Sequence, residues 1–235
     1  MTPFYIQRLE GKRAWLDGDE ARHCIKVMRK KTGDDVLAID GKGNMHSTRI
    51  AALGKNSVEL EVMATHENWG EKAQRIYLCV SPLHKVDRLE WLFEKAVELG
   101  VTDIIPYIGK HTVKTGIRLD RLERIMIAAL KQSLRSRLPV IHELSSFKEM
   151  ISIAEADTKL LAHVTLGKPF SDLNTDWKSL DSLALLVGPE GDFAEEELNF
   201  AIDSGYTAVE LGKNRLRSET AAIHLLGISK FLMGF

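Results

Sequence analysis

Two short glycine-bearing stretches hold most of the chemistry this chain can offer. Gly188-Pro189-Glu190-Gly191 follows the apolar run 183–187. Leu211-Gly212-Lys213-Asn214-Arg215-Leu216-Arg217-Ser218-Glu219-Thr220 follows a second, shorter apolar run. Each stretch leaves a buried-type strand and enters a helix. Glycine lets main chain approach a ligand closely, and the first turn of a helix offers N–H groups with no partner in the helix. Two such corners side by side make a pocket walled by backbone, suited to a nucleoside-type ligand. In the second, Ser218 as a helix cap with Glu219 at the positive helix end accounts for two residues. Arg217 is left over, because a cation is disfavoured at a helix start. It is expected to hold an anionic group.

Charge is unevenly spread. The formal net charge is −1, yet between Lys110 and Arg137 eight Lys/Arg face two acids, and between Asp181 and Glu210 there are eight Asp/Glu and no Lys/Arg. Within the basic stretch, Gln132, Ser133 and Arg135 form a polar cluster at a helix end, where cations are favoured electrostatically and phosphate or base contact is equally possible. Arg22, Lys26, Arg29 and Lys30 recur at helical spacing, as a phosphate-binding stripe or a solvated helix face would. Glu195, Glu196 and Glu197 open a helix and complement its dipole; they are expected to be structural. The G-x-G-x-x-G dinucleotide fingerprint and the G-x-x-x-x-G-K-[ST] phosphate loop are both absent, which argues against NAD binding and ATP hydrolysis. The only cysteines, Cys24 and Cys79, have no metal-ligand spacing. No metal is expected. Neither a signal peptide nor a membrane span is present in the sequence, so a soluble cytoplasmic protein is expected.

Positioning these residues takes two domains. Residues 1–70 read as a small β-barrel: short strands at 4–6 and 13–16, a helix over 20–28 capped by Asp19, and strands at 36–39, 45–52 and 58–62. The turns are Asp40-Gly41-Lys42-Gly43-Asn44 and Gly54-Lys55-Asn56. The polar stretch 66–72 is the expected linker. Residues 74–235 alternate strand and helix: strands at 76–80, 103–108, 159–164, 183–187 and 208–211, helices at 86–99, 119–134, 147–156, 195–204 and 219–233. That rhythm predicts a parallel sheet covered on both faces, with ligands beyond the carboxyl ends of its strands.

The carboxyl-terminal pattern, Gly188-Pro189-Glu190-Gly191 with Leu211-Gly212 and Leu216-Arg217-Ser218-Glu219-Thr220-Ala221, resembles the signature of the ribosomal RNA small subunit methyltransferase E family, of the SPOUT or α/β-knot class. His23 to Arg29 with Gly33-Asp34, and Glu94 to Val101, are similar to that family too, so the resemblance spans nearly the whole chain. Leu134 stands where the family has glycine, Lys131 where it has an acid, Lys213 where it has proline, and Gly191-Asp192 where it has Gly-Gly. The resemblance implies a PUA-like RNA-binding domain, a trefoil-knotted α/β domain, a homodimer, S-adenosylmethionine as methyl donor, and N3 of a uridine in 16S rRNA of the small ribosomal subunit as acceptor. Carried over residue by residue, Leu186, Gly188, Pro189, Glu190, Gly191, Leu211, Gly212, Leu216, Arg217 and Thr220 would bind the donor. Arg22, Lys26, Arg29, Lys30, Gln132, Ser133 and Arg135 would bind RNA. Uridine N3 must lose its proton for transfer. Glu219 is the candidate base, and Arg217 or Arg135, the latter from a partner subunit, would stabilise charge on the uracil oxygens. Two other functions fit parts of the pattern: a non-catalytic rRNA-binding or ribosome-assembly factor, and a knotted 2′-O-ribose RNA methyltransferase.

Overall fold

The computed structural model of the chain describes residues 2–234, so Met1 and Phe235, the outer ends of the two expected domains, lie outside the described residues. The chain gathers into two units, residues 1–72 with 127–138, and residues 73–126 with 139–235.

In the first unit six strands form one sheet in the order β1-β4-β5-β6-β3-β2. They are β1 (Phe4–Tyr5), β2 (Arg8–Glu10), β3 (Arg13–Asp17), β4 (Asp35–Ile39), β5 (Asn44–Leu53) and β6 (Ser57–Glu67). All pairings are antiparallel except β1 with β4. Alternate residues such as Leu16, Ala38, Ile50 and Leu60 point into one core, as a period of two requires. Asp40 closes the β4–β5 turn, its Oδ1 accepting the N–H groups of Lys42 (2.8 Å) and Asn44 (3.1 Å).

Besides the unexpected strand β2, sequence and structure differ here in three places. Strand β6 runs on through His66 and Glu67, which pair with Met45 and Asn44, so the expected linker is shorter than 66–72. The expected helix over 20–28 is split: α1 (Gly18–Arg22) is followed by a π-helical turn, His23–Val27, with Met28 N–H bonded to His23 O. Its cap position is Asp17, not Asp19. The wider turn breaks the spacing of the basic stripe: Arg29 has φ +51° and lies beyond the helix, and Lys30 turns its ammonium to Asp35 O. The third difference is at 127–138. Here α3 (Leu119–Gln132) ends two residues early, because Leu134 takes φ +58° and Arg135 N–H returns to Leu130 O. This is the left-handed turn that glycine usually makes at a helix end. Leucine there costs on the order of 1 kcal/mol.

The second unit is a parallel sheet. Its strands are β7 (Arg75–Val80), β8 (Asp103–Ile108), β9 (Val140–Ile141), β10 (Ser145–Ser146), β11 (Thr158–Ala162), β12 (Ser182–Val187) and β13 (Thr207–Val209). They run in the order β10-β8-β7-β12-β11-β13, with β9 also on β8, and every pair is parallel. The helices are α2 (Val86–Glu98), α4 (Phe147–Ile153), α5 (Glu195–Asp203) and α6 (Ser218–Leu232). The central strands are buried almost throughout, as expected for a sheet covered on both faces. The short helix α4 is fixed by a reciprocal cap: Glu149 N–H donates to Ser146 Oγ, and Ser146 N–H donates to Glu149 Oε2 at 2.8 Å. Among the described residues no helix is long and apolar enough to cross a membrane.

At the amino end of the sheet Asp103, 2% exposed, gathers polar partners. Arg75 donates to both of its oxygens at 2.9 Å, Thr102 Oγ1 donates at 2.9 Å, and His142 Nε2 lies 2.9 Å from Oδ1. Burial alone would raise the carboxyl pKa. The bonds from Arg75, His142 and Thr102 outweigh it and hold the group below its ordinary value. A depressed folded value means that the stabilisation is complete above about pH 4 and disappears as pH falls through the folded value. Asp103→Asn is expected to cost about 2 kcal/mol near neutral pH, less than a fully buried pair because Arg75 is half exposed. Urea unfolding at pH 7 and at pH 3 should show the difference between the proteins shrinking at the lower pH.

Candidate active site

Beyond the carboxyl ends of β12 and β11 lies a cavity of about 340 Å³. Its floor is the first corner. Tyr107 donates its hydroxyl to Val187 O at 2.9 Å and fixes the strand end just before Gly188. Burial pushes the Tyr107 phenol well above its ordinary pKa, with Glu197 adding to the effect, so the hydroxyl stays a donor. The Phe193 ring lies over Gly188, 3.1–3.3 Å from where a Cβ would stand. The turn closes through Asp192 N–H to Pro189 O (2.9 Å) and Phe193 N–H to Asp192 Oδ1 (2.9 Å). Asp192 has φ +66°. It stands where the related pattern has a second glycine, and Asp is among the residues that tolerate this region best.

The second corner leaves β13 and turns at Gly212, whose φ of +115° is open to glycine and strained for any side chain. It ends at the start of α6. Arg217 occupies the cap position with extended backbone, and no side chain caps the helix. Ser218 is therefore the first helical residue rather than the cap, and the opening N–H groups of α6 have no side-chain acceptor. Arg217 is exposed and lines the cavity, and its guanidinium has no hydrogen bond or ion pair among the described residues.

A third wall is not evident from motifs. Residues 163–168 cross against 207–210, with His163 N–H to Val209 O, Lys168 N–H to Ala208 O, and Glu210 N–H to Lys168 O, each at 3.1 Å. Where they cross, a Cβ on Gly167 would stand 2.3–2.5 Å from Glu210 N, Val209 C and His163 O. Only glycine fits. The crossing brings His163 and Val164 to the cavity. His163 Nδ1 accepts the N–H groups of Thr165 (3.3 Å) and Leu166 (3.2 Å), which places the ring hydrogen on Nε2.

Of the residues expected to bind a ligand, the cavity brings together Gly188, Pro189, Glu190, Leu211, Gly212, Leu216 and Arg217. Others lie elsewhere. Leu186 is fully buried one residue short of the strand end and faces the core. Gly191 is packed against His111. Thr220 is one turn along α6 and lines a different, apolar recess with Trp91 and Phe231. Glu219 is 6% exposed and lies behind the cavity, beside Arg88. Reasoning from motifs missed His163, Val164, Asn214, Arg215 and Ser218. The last three lie inside the second stretch and were within reach; the first two depend on the crossing.

In the first unit, Arg135 has another task. Its guanidinium pairs with Glu71, whose Oε1 also accepts the N–H groups of Ser136 and Arg137 at 2.9 Å. Lys131 pairs with Glu20, and Ser133 Oγ donates to Ala129 O of its own helix. Gln132, Arg22, Lys26 and Arg29 are exposed. Glu197 is structural, as expected: Oε2 accepts Ala194 N–H and Oε1 accepts Lys110 N–H. No cluster of three or more potential metal ligands occurs among the described residues, and both cysteines are buried.

A small β-sheet unit followed in sequence by an all-parallel sheet with a main-chain-walled cleft past its carboxyl edge fits a two-domain RNA methyltransferase, and the family models show that class. The RNA methyltransferase domain model matches residues 70–230, and the RNA methyltransferase PUA domain model matches residues 16–63. The chain belongs to the ribosomal RNA small subunit methyltransferase E family. The member from Bacillus subtilis is 28% identical over 224 residues, covering 90% of this chain and 87% of that one. The crystal structure of a probable rRNA-methyltransferase from Porphyromonas gingivalis is 32% identical, with a TM-score of 0.87 over 99% of this chain and 98% of that one. The ribosomal RNA small subunit methyltransferase E of Neisseria gonorrhoeae, solved bound to S-adenosyl methionine, is 28% identical, with a TM-score of 0.85 over 99% and 98% of the two chains.

The tight crossing yields a test. Gly167→Ala must push two backbones apart, which costs about 3 kcal/mol. The midpoint of thermal unfolding should fall by several degrees, against little change for alanine at the exposed Lys168.

Proposed function

We propose that this protein transfers the methyl group of S-adenosylmethionine to N3 of a uridine in 16S rRNA of the small ribosomal subunit, acting as a cytoplasmic homodimer. The cleft between the two glycine corners carries the reading. Its volume suits a nucleoside bearing an amino-acid tail. Main chain at Gly188 and Gly212 can approach a flat base closely. Leu211, Leu216 and Val164 supply apolar cover, and Arg217, free at an uncapped helix start, fits a carboxylate or a developing oxyanion. The close crossing at Gly167 supports a threaded carboxyl-terminal segment, the knot that the family resemblance implies.

S-adenosylmethionine supplies an electrophilic methyl group. What remains for the protein is the acceptor, since uridine N3 carries a proton at neutral pH. Glu219 is the residue we assign to take it. Its Oε2 is buried without a hydrogen-bond partner, and Gly188 and Ser218, which flank it, also wall the cleft. Arg217 stabilises charge building on the uracil oxygens. The exposed Lys26, Arg29 and Gln132 are available for RNA, as is Arg22 once it leaves its solvent-exposed ion pair with Asp19.

The homodimer draws support from an apolar recess on α2 and α6, lined by Trp91, Leu99, Ile223 and Ile228 and flanked by Phe231, which is 79% exposed. A second copy of the chain would cover it. Light scattering should find the protein dimeric and Phe231→Glu shifted towards monomer.

Mass spectrometry of 16S rRNA nucleosides from a deletion strain should show loss of 3-methyluridine, restored by the gene. Unchanged nucleosides would refute the reaction. Glu219→Gln should lower the transfer rate about 10²-fold or more while calorimetry shows S-adenosylmethionine affinity within a few-fold of normal. Undiminished turnover would remove Glu219 from its role.

A further inference from the structure

A residue outside both glycine corners joins them. Arg88 lies on the first turns of α2 and is 24% exposed. Its Nε stands 3.5 Å from Glu219 Oε1, and its Nη1 stands 3.7 Å from Glu190 Oε1. Glu190 belongs to the first corner, where its Oε2 accepts the N–H of His84 at 2.9 Å. Glu219 lies in the first turn of α6 at the second corner, and its side chain is 8% exposed. Among the described residues Arg88 is the only ion-pair partner of either carboxylate, and it faces both. A buried carboxylate needs a counter-charge. Arg88 supplies it to one oxygen and leaves the other, Oε2, unpartnered in a recess shared with Ser81, Gly188 and Ser218. A guanidinium presents several donors in one plane and can face two carboxylates at once, whereas an ammonium is a single point charge.

We propose that Arg88 is a positioning residue for methyl transfer: held between Glu190 and Glu219, it fixes the Glu219 carboxylate with one oxygen engaged and the other free to receive the acceptor's proton. This rests on the reading of Glu219 as the proton acceptor. Arg88 itself does not line the donor cleft. Its removal acts through Glu219, whereas Glu190, the other carboxylate it faces, is still held in the cleft wall by the N–H of His84.

The test uses the full-length protein, radiolabelled S-adenosylmethionine, and small ribosomal subunits from a strain lacking the gene. Arg88→Met should lower the single-turnover transfer rate at least about tenfold, with the calorimetric Kd for S-adenosylmethionine changed less than about threefold. Arg88→Lys, keeping charge but not the planar fork, should recover part of the rate. In a Glu219→Gln background, Arg88→Met should add little further loss, because the charge it serves is gone. The proposal is overturned if Arg88→Met turns over normally, if its loss comes from weakened donor binding, if lysine restores nothing, or if the loss is equal in both backgrounds. Should Arg88→Met unfold, Arg88→Gln and Arg88→Lys carry the same comparison. Normal turnover by Glu219→Gln defeats the proton-acceptor reading itself, whereas a slow Glu219→Gln beside a normal Arg88→Met defeats the Arg88 inference alone.

Discussion

Two backbones can lie in contact only where neither carries a side chain between them, and the carboxyl-terminal half of this protein is arranged around one such contact. At Gly167 the loop after β11 lies flat against the chain leaving β13, with no room for a methyl group. The three hydrogen bonds around that point tie His163 and Lys168 to residues 208–210. The loop therefore cannot move away from the strand, and His163 and Val164 are held as a wall facing the two glycine corners. Without the crossing, Gly188 and Gly212 would be two ordinary turns at the edge of a sheet.

The two helices that follow the corners start in opposite ways. Helix α5 opens with Glu195, Glu196 and Glu197, and the last of these reaches back to Ala194 N–H and across to Lys110 N–H. Its positive end is answered by the protein's own carboxylates. Helix α6 has a single acid in its first turn, Glu219, and that acid is engaged by Arg88. The cap position is a cation, Arg217, with no ion-pair partner among the described residues. A helix start that the protein does not complete is one that a ligand can complete, and this asymmetry separates the scaffold helix from the functional one.

Much of this was legible in the sequence. Alternating apolar runs and helical spacing located the four long strands of the parallel sheet, the three-residue β13 and the helices to within a few residues. Period-two alternation with Asp-Gly and Gly-Asn turns located most of the first sheet. What escaped has physical causes. Strands β9 and β10 are two residues each and depend wholly on β8 for their bonds. The π-helical turn at His23 leaves the residue pattern of an α-helix intact while shifting its hydrogen bonds by one. Leu134 and Asp192 are departures visible as replaced glycines, yet the chain keeps the left-handed backbone that glycine would take. Local sequence names the preferred residue for a conformation, and surrounding bonds can impose that conformation on another.

Charge was the least legible quantity, because a sequence counts ions without pairing them. The basic cluster ending α3 resembles a nucleic-acid contact, yet Lys131 is spent on Glu20 and Arg135 on Glu71, and Glu71 is so deeply buried that its partner's role is to make that burial possible. Arg217 carries the same formal charge and has no such partner. The distinction matters for function, since a guanidinium already neutralised has little left to offer an incoming anion, whereas an unpaired one beside an uncapped helix gains by binding it. Arg88 lies between these cases: it is engaged, but of the two carboxylates it faces, Glu190 lines the cleft and Glu219 lies directly behind it. The useful division among the basic residues is therefore by what their partners do.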